Sequence, residues 1–213
     1  VFFTGCNMDF VFPDSAVNAV RVLQDAGVAV TFPQEQSCCG KPAMGMGDRD
    51  TGRKLAKKNI EALLASNPDA IFSACPTCTE TLEKTYVEIF EDDPAMLAKV
   101  KTFSSKVREF TSLVAEIYEK EGRLMPSAAG GQKVTYHDSC HIRRGLGIYK
   151  EPRALLEATP GIDFVEMKDA DHCCGMAGAF GVKYVEISMP LLEKKVNNIK
   201  NTGAEVCAVA CPA

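Results

Sequence analysis

The cysteines of this 213-residue chain form two matching sets. Each set has one isolated cysteine, then a Cys-Cys-Gly turn, then a Cys-Pro pair. The first set is Cys6, Cys38, Cys39 and Cys75, and the second is Cys140, Cys173, Cys174 and Cys211. Matching members lie 134 to 136 residues apart. We interpret the chain as a duplication whose two halves carry the same chemistry.

The first half adds a fifth thiol, because Cys75-Pro-Thr-Cys78 is a Cys-x-x-Cys motif. Structural zinc takes four ligands in a tetrahedron, and neither a fifth thiol nor an adjacent pair is typical of it. An iron–sulfur cluster has several iron atoms, so adjacent cysteines can bind different ones, and the glycine lets the backbone pass close by. Iron–sulfur binding is favoured, with zinc, redox dithiols and structural cysteines as the alternatives.

Composition and charge argue against a disulfide scaffold, a nucleic-acid-binding protein and a membrane-spanning protein. Ten cysteines suit a disulfide scaffold only in a short, secreted, loop-rich chain, and this chain has none of those traits. The net charge of -4 and the lack of a basic stripe argue against a nucleic-acid partner. No apolar run approaches the ~18 residues of a membrane span, and the N-terminus lacks a charged leader region. We predict a soluble cytoplasmic protein without a transmembrane segment.

Hydrophobic periodicity predicts an α/β fold in the first half. Strands are expected at residues 1–4, 28–32 and 70–74. They alternate with a helix that begins at Pro13 and a second helix with Ala56, Ile60, Leu63 and Leu64 on its buried face. Strands alternating with helices form a parallel sheet with right-handed crossovers, and ligands bind such sheets at the carboxyl ends of the strands. The expected fold is two pseudo-repeated parallel-sheet domains with metal sites at those ends.

Further helices are expected after Cys75. Pro76 suits the first position of a helix that reaches about residue 90, with Cys78 in its first turn. Residues 94–100 and 106–120 are predicted to be helices that join the halves, and Gly122 with residues 127–131 marks the boundary. The predicted domains are residues 1–103 and 131–213, with residues 104–130 as the connection.

The second half repeats the order of elements. Strands are predicted at residues 133–136 and 163–167, with a short helix at 152–156 between them and a further helix and strand before Cys211. Pro190 interrupts the apolar pattern of residues 184–199, so that helix is expected to be kinked or to start there. The residue after Ala213 is expected to be the counterpart of Cys78, which would make the second domain C-terminally truncated.

These motifs resemble the cysteine-rich CCG domain family over nearly the whole chain. The family pattern is one cysteine, then Cys-Cys-Gly, then Cys-x-x-Cys, usually in two copies. Its members include the CCG-domain subunit of heterodisulfide reductase, the iron–sulfur subunits of glycolate oxidase and anaerobic glycerol-3-phosphate dehydrogenase, and the lactate-utilisation A proteins. All of these are oxidoreductase subunits.

Four segments resemble the lactate-utilisation and glycolate-oxidase branch: residues 10–13, 136–147, 152–156 and 182–188. That branch feeds electrons from 2-hydroxy acid oxidation into membrane carriers. The resemblance implies an iron–sulfur electron-transfer subunit that holds 4Fe-4S clusters. The flavin would lie on a partner flavoprotein, other iron–sulfur subunits could join the complex, and any membrane association would be peripheral and through these partners.

The Cys75-x-x-Cys78 motif also supports an alternative. It completes the five-cysteine pattern that holds a noncubane 4Fe-4S cluster in the CCG-domain subunit of heterodisulfide reductase, where the cluster takes part in disulfide reduction. The resemblance implies one cluster on the first set and a second cluster on the second set. The first set is Cys6, Cys38, Cys39, Cys75 and Cys78, and the second is Cys140, Cys173, Cys174 and Cys211. A zinc-stapled interaction module is the third hypothesis.

A few other residues are candidates with less specific patterns. His137, His141 and His172 flank cysteines and could bind metal, carry protons or donate hydrogen bonds to cluster sulfurs. Arg143 and Arg144 could bind a carboxylate, but a solvated basic pair is the simpler interpretation. Cys207 aligns with a strand residue of the first half and is interpreted as a small buried residue.

Overall fold

The computed structural model describes residues 1–127, 130–176 and 178–212, and it divides into two compact units, Val1–Val114 and Ala115–Cys211. Part of the predicted boundary, residues 128 and 129, lies outside the described residues, as do Ala177 and Ala213. In the described part of the chain, no helix has both the length and the apolar character needed to cross a membrane.

The first unit contains most of the helices. They are α1 (Cys6–Phe10), α2 (Pro13–Asp25), α3 (Lys41–Gly45), α4 (Arg49–Leu64), α5 (Pro76–Glu80), α6 (Tyr86–Ile89) and α7 (Pro94–Ser104). A π-helical turn, Thr81–Thr85, joins α5 to α6, and α8 (Phe110–Lys120) extends into the second unit. The predicted helices from Pro13 and Pro76 are confirmed, since both prolines occupy a first-turn position where no backbone N–H is needed.

The sheet of the first unit pairs β1 (Ile71–Ser73) with β2 (Val107–Glu109) in parallel. The prediction of one helix over residues 106–120 is therefore wrong for its first residues. Val107 and Glu109 are buried and Arg108 between them is exposed, which is the alternation of a strand. The apolar spacing from Val107 onward also fits a helix, so pattern alone could not separate the two.

Residues 1–4 and 28–32 are both predicted to be strands. In the structure residues 1–4 run beside β1 and residues 28–32 run beside residues 1–4, but neither segment has enough ladder hydrogen bonds to be a regular strand. Phe2 forms an isolated parallel bridge with Phe72, and its N–H donates to the Thr31 carbonyl at 2.9 Å. The order of segments is thus 28–32, 1–4, β1, β2. Residues 28–32 lie at the outer edge and are exposed or half-buried, so little apolar burial favours a longer ladder there.

The second unit repeats this order with regular strands. Its strands are β3 (Gln132–His137), β4 (Ile162–Phe164) and β5 (Val206–Val209), arranged β4-β3-β5 and all parallel. Its helices are α9 (Lys150–Ala158), α10 (Phe180–Lys183) and α11 (Val185–Asn201), with a π-helical turn at His141–Gly145. Both units therefore have the parallel topology predicted for them.

Helix α11 begins at Val185 and runs through Pro190 for a total of 17 residues, so it does not start at Pro190, while the alternative of a kink there stays a prediction. Proline lacks a backbone N–H, so Pro190 removes one hydrogen bond of the helix ladder, and the remaining bonds of this long helix continue on both sides of it. The start is fixed earlier, where the Tyr184 carbonyl accepts the N–H groups of Ile187 and Ser188.

Apolar faces of the helices cover the sheet as predicted. In α4, Ala56, Ile60 and Leu63 are fully buried, and the rings of Phe2 and Phe72 stack with centroids 4.8 Å apart. Burial of large side chains at this density is the main stabilising contribution to each unit. The polar residues on these same faces, described below, are what connect the core to the cysteines.

A buried ion pair fixes the segment that leads from β3 to Cys140. Arg153 of α9 donates to both carboxylate oxygens of Asp138 at 2.9 Å and to Glu166 at 2.5 and 2.9 Å. Asp138 is almost completely buried. The carboxylates of Glu166 and Asp138 raise the pKa of Arg153, so this guanidinium is permanently charged.

We expect Arg153→Met to lower the free energy of unfolding by about 3 kcal/mol, because it leaves the Asp138 carboxylate buried without its cation. Arg123→Met is the matched control, since the Arg123–Glu121 pair is exposed on both sides and is weakened by solvent and salt. Urea denaturation followed by circular dichroism measures both. Equal losses in the two variants would contradict the structural role of Arg153.

Candidate metal centre

The first Cys-Cys-Gly turn brings a backbone N–H onto a cysteine sulfur. Gly40 has a φ of +86°, in the left-handed region, and its N–H donates to Cys38 Sγ at 3.4 Å. A side chain at this φ would be strained. The turn then enters α3, whose first residue is Lys41. The glycine is therefore required by the backbone that places the two cysteines.

Two buried side chains from other helices hold this turn. The Asn59 amide accepts the Ser37 N–H at 2.8 Å and donates to the Cys38 carbonyl at 3.0 Å. The Tyr86 hydroxyl donates to the Cys39 carbonyl at 3.0 Å and also accepts from Asn59 at 3.1 Å. Both side chains are fully buried. This network fixes the peptide groups on each side of the cysteine pair.

The thiols of the first set form a chain of contacts. Cys39 interacts with Cys38 on one side and with Cys78 on the other, and Cys78 interacts in turn with Cys75. Cys39, Cys75 and Cys78 are at most 5% exposed, whereas Cys38 is half-buried and Cys6 exposed. Cys6 lies close enough for its charge to act on Cys38. The structure thus gathers all five predicted cysteines of the first half.

Among these contacting thiols, Cys39 is the one whose thiolate form the hydrogen bonds favour. The pKa of Cys39 is held well below its usual range, because the Cys38 and Cys78 thiols donate to its sulfur. The Lys41 N–H and the Thr81 hydroxyl add to this effect. The same contacts with Cys39 raise the pKa values of Cys38 and Cys78. Thiolates are the form that binds metal, so the hydrogen bonds to the sulfur of Cys39 favour the form that a metal site would need.

Gly5 also allows a close approach. It has a φ of +72°, and a Cβ at this position would lie 2.7 Å from Cys78 Sγ. The segment from residue 1 to Cys6 can therefore reach the sulfur of Cys78 only with glycine before Cys6.

The second Cys-Cys-Gly turn has the same local geometry. Gly175 has a φ of +85°, and its N–H donates to Cys173 Sγ at 3.4 Å. Cys140 lies near this pair. Burial raises the pKa of Cys140, and the nearby charges of Cys173 and Cys174 raise it further. Sequence duplication is thus matched by duplication of the turn.

The cysteine loops of the second unit all leave one edge of its sheet. Cys140 follows β3, the Cys173-Cys174 pair follows β4, and Cys211 follows β5. In the parallel register, His137 at the end of β3 pairs with Val209 at the end of β5. The predicted placement of cysteines after strand ends is therefore observed, while the binding of metal there remains a prediction.

Side chains of α11 hold the second turn. The Ser188 hydroxyl donates to the Gly175 carbonyl at 2.9 Å, and a Cβ on Gly175 would lie 2.6 Å from the Ser188 carbonyl oxygen. Lys195, which is 2% exposed, donates to the carbonyls of Asp169 and Ala170 at 3.0 Å each. Burial lowers the pKa of Lys195, and the charge of Cys207 is the largest of the opposing effects.

Several polar atoms next to the cysteines are buried without a hydrogen-bond partner in the described part of the chain. They are Thr4 Oγ1 before Gly5-Cys6, Ser139 Oγ before Cys140, and His172 Nε2 before Cys173. Buried polar groups are nearly always satisfied, so unpaired ones at these places fit a site that also binds a group with acceptor atoms. The inorganic sulfides of a cluster are such acceptors.

The gathered thiols are not arranged around a single metal ion. Among the described residues, no group of three or more His, Cys, Asp and Glu side chains is arranged to hold a single metal ion. The donor set is instead a chain of sulfurs with adjacent cysteines at its centre. A cluster of several iron atoms offers a separate iron to each of two adjacent cysteines.

The other candidates have local roles. Cys207 lies within β5, as its alignment predicted, and is half-buried. His137 Nδ1 donates to the Ala170 carbonyl at 3.2 Å, so that nitrogen carries the proton. Arg144 pairs with Asp171 at 3.7 Å, and Arg143 stacks over Tyr149 at 3.7 Å. The two arginines thus interact with separate neighbours and do not form a joint anion site.

The residues that hold the turns were not predicted. Asn59 shares a helix face with Ala56 and Leu63, and Lys195 shares one with Leu192 and Ile199. The available signal was a polar residue on an apolar helical face at the same place in each half. That signal alone does not say which loop the polar group contacts.

Comparison with known proteins supports the resemblance. The family model for the CCG cysteine-rich domain matches residues 1–83 and 134–213. The chain is 36% identical over 211 residues to the probable glycolate oxidase iron-sulfur subunit of Bacillus subtilis, and 34% identical over 206 residues to lactate utilization protein A of an Exiguobacterium species. It is also 35% identical over 211 residues to an uncharacterized iron-sulfur protein of Methanococcus maripaludis.

Coverage differs among these relatives. The alignments include 99% of this chain with the glycolate oxidase subunit and the Methanococcus protein, and 96% with lactate utilization protein A. The chain spans 47% of the first, 39% of the second and 82% of the third. Its match to lactate utilization protein A thus includes most of both chains.

We expect Asn59→Leu to destabilise the first unit by about 2 kcal/mol, because the Ser37 N–H and the Cys38 carbonyl lose their partners at similar side-chain volume. Cys38 should also react faster with an alkylating reagent in the reduced, metal-free chain. Urea denaturation and mass spectrometry of labelled Cys38 measure these effects. Asn18→Leu, on an exposed position of α2, is the control, and identical behaviour of the two variants would show that Asn59 does not hold the turn.

Proposed function

We propose that this chain, which belongs to the cysteine-rich CCG domain family, is an iron–sulfur electron-transfer component. It would serve an oxidoreductase complex that oxidises 2-hydroxy acids. The names of its relatives support this proposal, since they refer to glycolate oxidation and lactate utilization. Because the chain spans about half or less of the first two relatives, the activity of the whole complex is part of the proposal.

The repeated turn is the observation that carries the proposal. In both halves a left-handed glycine donates its N–H to the first of two adjacent cysteines at 3.4 Å. A cysteine pair with a purely structural role would not require the same glycine geometry in both halves. Nor would it require further thiols around the pair. N–H groups that point at sulfur stabilise thiolate charge, which a negatively charged cluster requires.

The first centre would be held by Cys6, Cys38, Cys39, Cys75 and Cys78, and the second by Cys140, Cys173, Cys174 and Cys211. A bound 4Fe-4S cluster supplies one-electron chemistry. The residues of the chain orient the thiolates and exclude water from the deeper ones: Cys39, Cys75 and Cys78 are buried, and Thr79 and Thr81 are buried beside them. The exposed Cys6 leaves one side of the first centre open to solvent.

Hydroxy acid oxidation needs a second component. It removes two electrons and two protons, formally a hydride and a proton, which is flavin chemistry, whereas a cluster held by cysteine thiolates passes electrons singly. The flavin is therefore assigned to a partner flavoprotein, and this chain receives the electrons.

Cys78 favours a second candidate function. Its sulfur contacts both Cys39 and Cys75, so the first centre has the complete five-thiol set. This set resembles the one in the CCG-domain subunit of heterodisulfide reductase, whose noncubane cluster takes part in disulfide reduction. The same site could then reduce a disulfide substrate, with electrons delivered by other iron–sulfur subunits.

We expect Cys39→Ser and Cys174→Ser each to reduce the iron and sulfide bound per chain to roughly half after anaerobic reconstitution, since each removes a ligand of one of two centres. Metal and sulfide analysis with EPR spectroscopy measures this. Cys207→Ser is the matched control, because Cys207 is a half-buried cysteine within a strand and outside both sets, and it should keep the full content.

The metal content and the turnover of the reconstituted chain also distinguish the iron–sulfur proposal from zinc binding and from disulfide reduction. Zinc without sulfide in the reconstituted chain would contradict the iron–sulfur proposal. Reduction of a disulfide by the dye-reduced chain, abolished in Cys78→Ser, would support the second candidate. Electron transfer from a hydroxy acid flavoprotein without disulfide turnover would support the first.

A further inference from the structure

We propose that Lys195 is a fixed buried cation that gives the second centre a higher reduction potential than the first. The inference rests on the proposed function, since it requires a cluster at each Cys-Cys-Gly turn. The fifth thiol of the first set also adds negative charge there, so the Lys195 variants, which leave both cysteine sets unchanged, are what isolate the effect of the cation.

The two halves place different residues at one structural position. Helices α4 and α11 both follow a Cys-Cys-Gly turn, and both approach its glycine with their fourth residue, which is Gly52 in α4 and Ser188 in α11. The eleventh residue of each helix is buried and bonds to the chain just before or within the turn. That residue is the neutral Asn59 in the first half and Lys195 in the second.

Burial lowers the pKa of Lys195, but its contacts are those that an ammonium group makes. Its Nζ lies 3.0 Å from the Asp169 carbonyl, 3.0 Å from the Ala170 carbonyl and 3.7 Å from Met167 Sδ. All three are acceptors, so they match the three N–H groups of an ammonium, whereas a neutral amine has two. In the part of the chain that the structure describes, no carboxylate lies within ion-pair distance of this nitrogen.

The charge acts on the second cysteine set. Asp171, Cys174 and Asp138 are near enough for their charges to favour the ammonium form of Lys195, as is Cys207. The two carbonyls that Lys195 contacts lie three and four residues before Cys173, so the ammonium is held beside the loop that leads to the second cysteine pair. Because Lys195 is only 2% exposed, solvent and salt screen this attraction much less than they screen a surface lysine.

A fixed cation has a defined effect on electron uptake. One-electron reduction adds one negative charge to a cluster and changes no bond in the protein, so a nearby positive charge stabilises the reduced state and raises the potential. Asn59 offers the first centre only amide dipoles, which are already bonded to Ser37, Cys38 and Tyr86. Electrons from a reduced flavin on the partner would therefore collect on the second centre.

An anaerobic redox titration of the reconstituted chain, followed by EPR, tests the proposal. We expect two reduction steps, of which Cys174→Ser removes the one at higher potential and Cys39→Ser the one at lower potential. We also expect Lys195→Gln and the apolar Lys195→Met to shift the higher step to lower potential without moving the other, and Lys195→Arg to retain it. Lys194→Gln is the control, because it removes the same charge from an exposed neighbouring position of α11.

The outcomes that overturn the proposal are distinct from failure of the proposed function. If Lys195→Gln and Lys195→Met keep full iron content and the parent potential, or if Cys174→Ser removes the lower step, Lys195 does not set the order of potentials. Should the Lys195 variants fail to fold, removal of the lower step by Cys174→Ser would still overturn the proposal. If the parent chain binds no iron at the second turn, the proposed function itself fails there.

Discussion

The hydrogen bond from a glycine N–H to the sulfur of the first cysteine is the constraint on which both halves depend. It requires a φ near +85° at Gly40 and Gly175, where a side chain costs about 1–2 kcal/mol of strain. A turn of this kind is not stable by itself, because its peptide groups need partners after burial. The helix that follows in each half supplies those partners from its buried face. The fold therefore connects a three-residue turn to the core through one or two polar side chains.

A parallel sheet positions the cysteine loops in the same way in both units. Three loops must deliver cysteines to one place, and parallel strands do this because their carboxyl ends lie at one edge. In the second unit the sheet order β4-β3-β5 puts all three loops there, and the first unit follows the same order with residues 28–32, residues 1–4 and β1. The first unit adds β2 beyond β1, so the duplication is preserved around the cysteines and altered at the far edge.

Much of this arrangement could be predicted from the sequence, and what could not depended on long-range contacts. The cysteine spacing, the strand at Ile71–Ser73 and the buried face of α4 were predictable, since each is a local pattern. The strand Val107–Glu109 was missed because three residues of apolar spacing fit either period. Residues 1–4 and 28–32 have the composition of strands, but they form too few hydrogen bonds with their neighbours to make regular ladders. Asn59, Tyr86, Arg153 and Lys195 could not be assigned, because a buried polar group has meaning only once its partner is known.

Support of the turn by Asn59 and Tyr86 has an evolutionary consequence. The backbone of Cys38 and Cys39 is fixed by groups that are not themselves ligands, so exchange of a cysteine need not disturb the fold that presents the others. A duplicated gene with this property can gain or lose thiols in one half while the other half keeps its original set. The extra contact of Cys78 with Cys39 in the first half, and the difference between Asn59 and Lys195 at corresponding positions, are the kinds of divergence that such an arrangement permits.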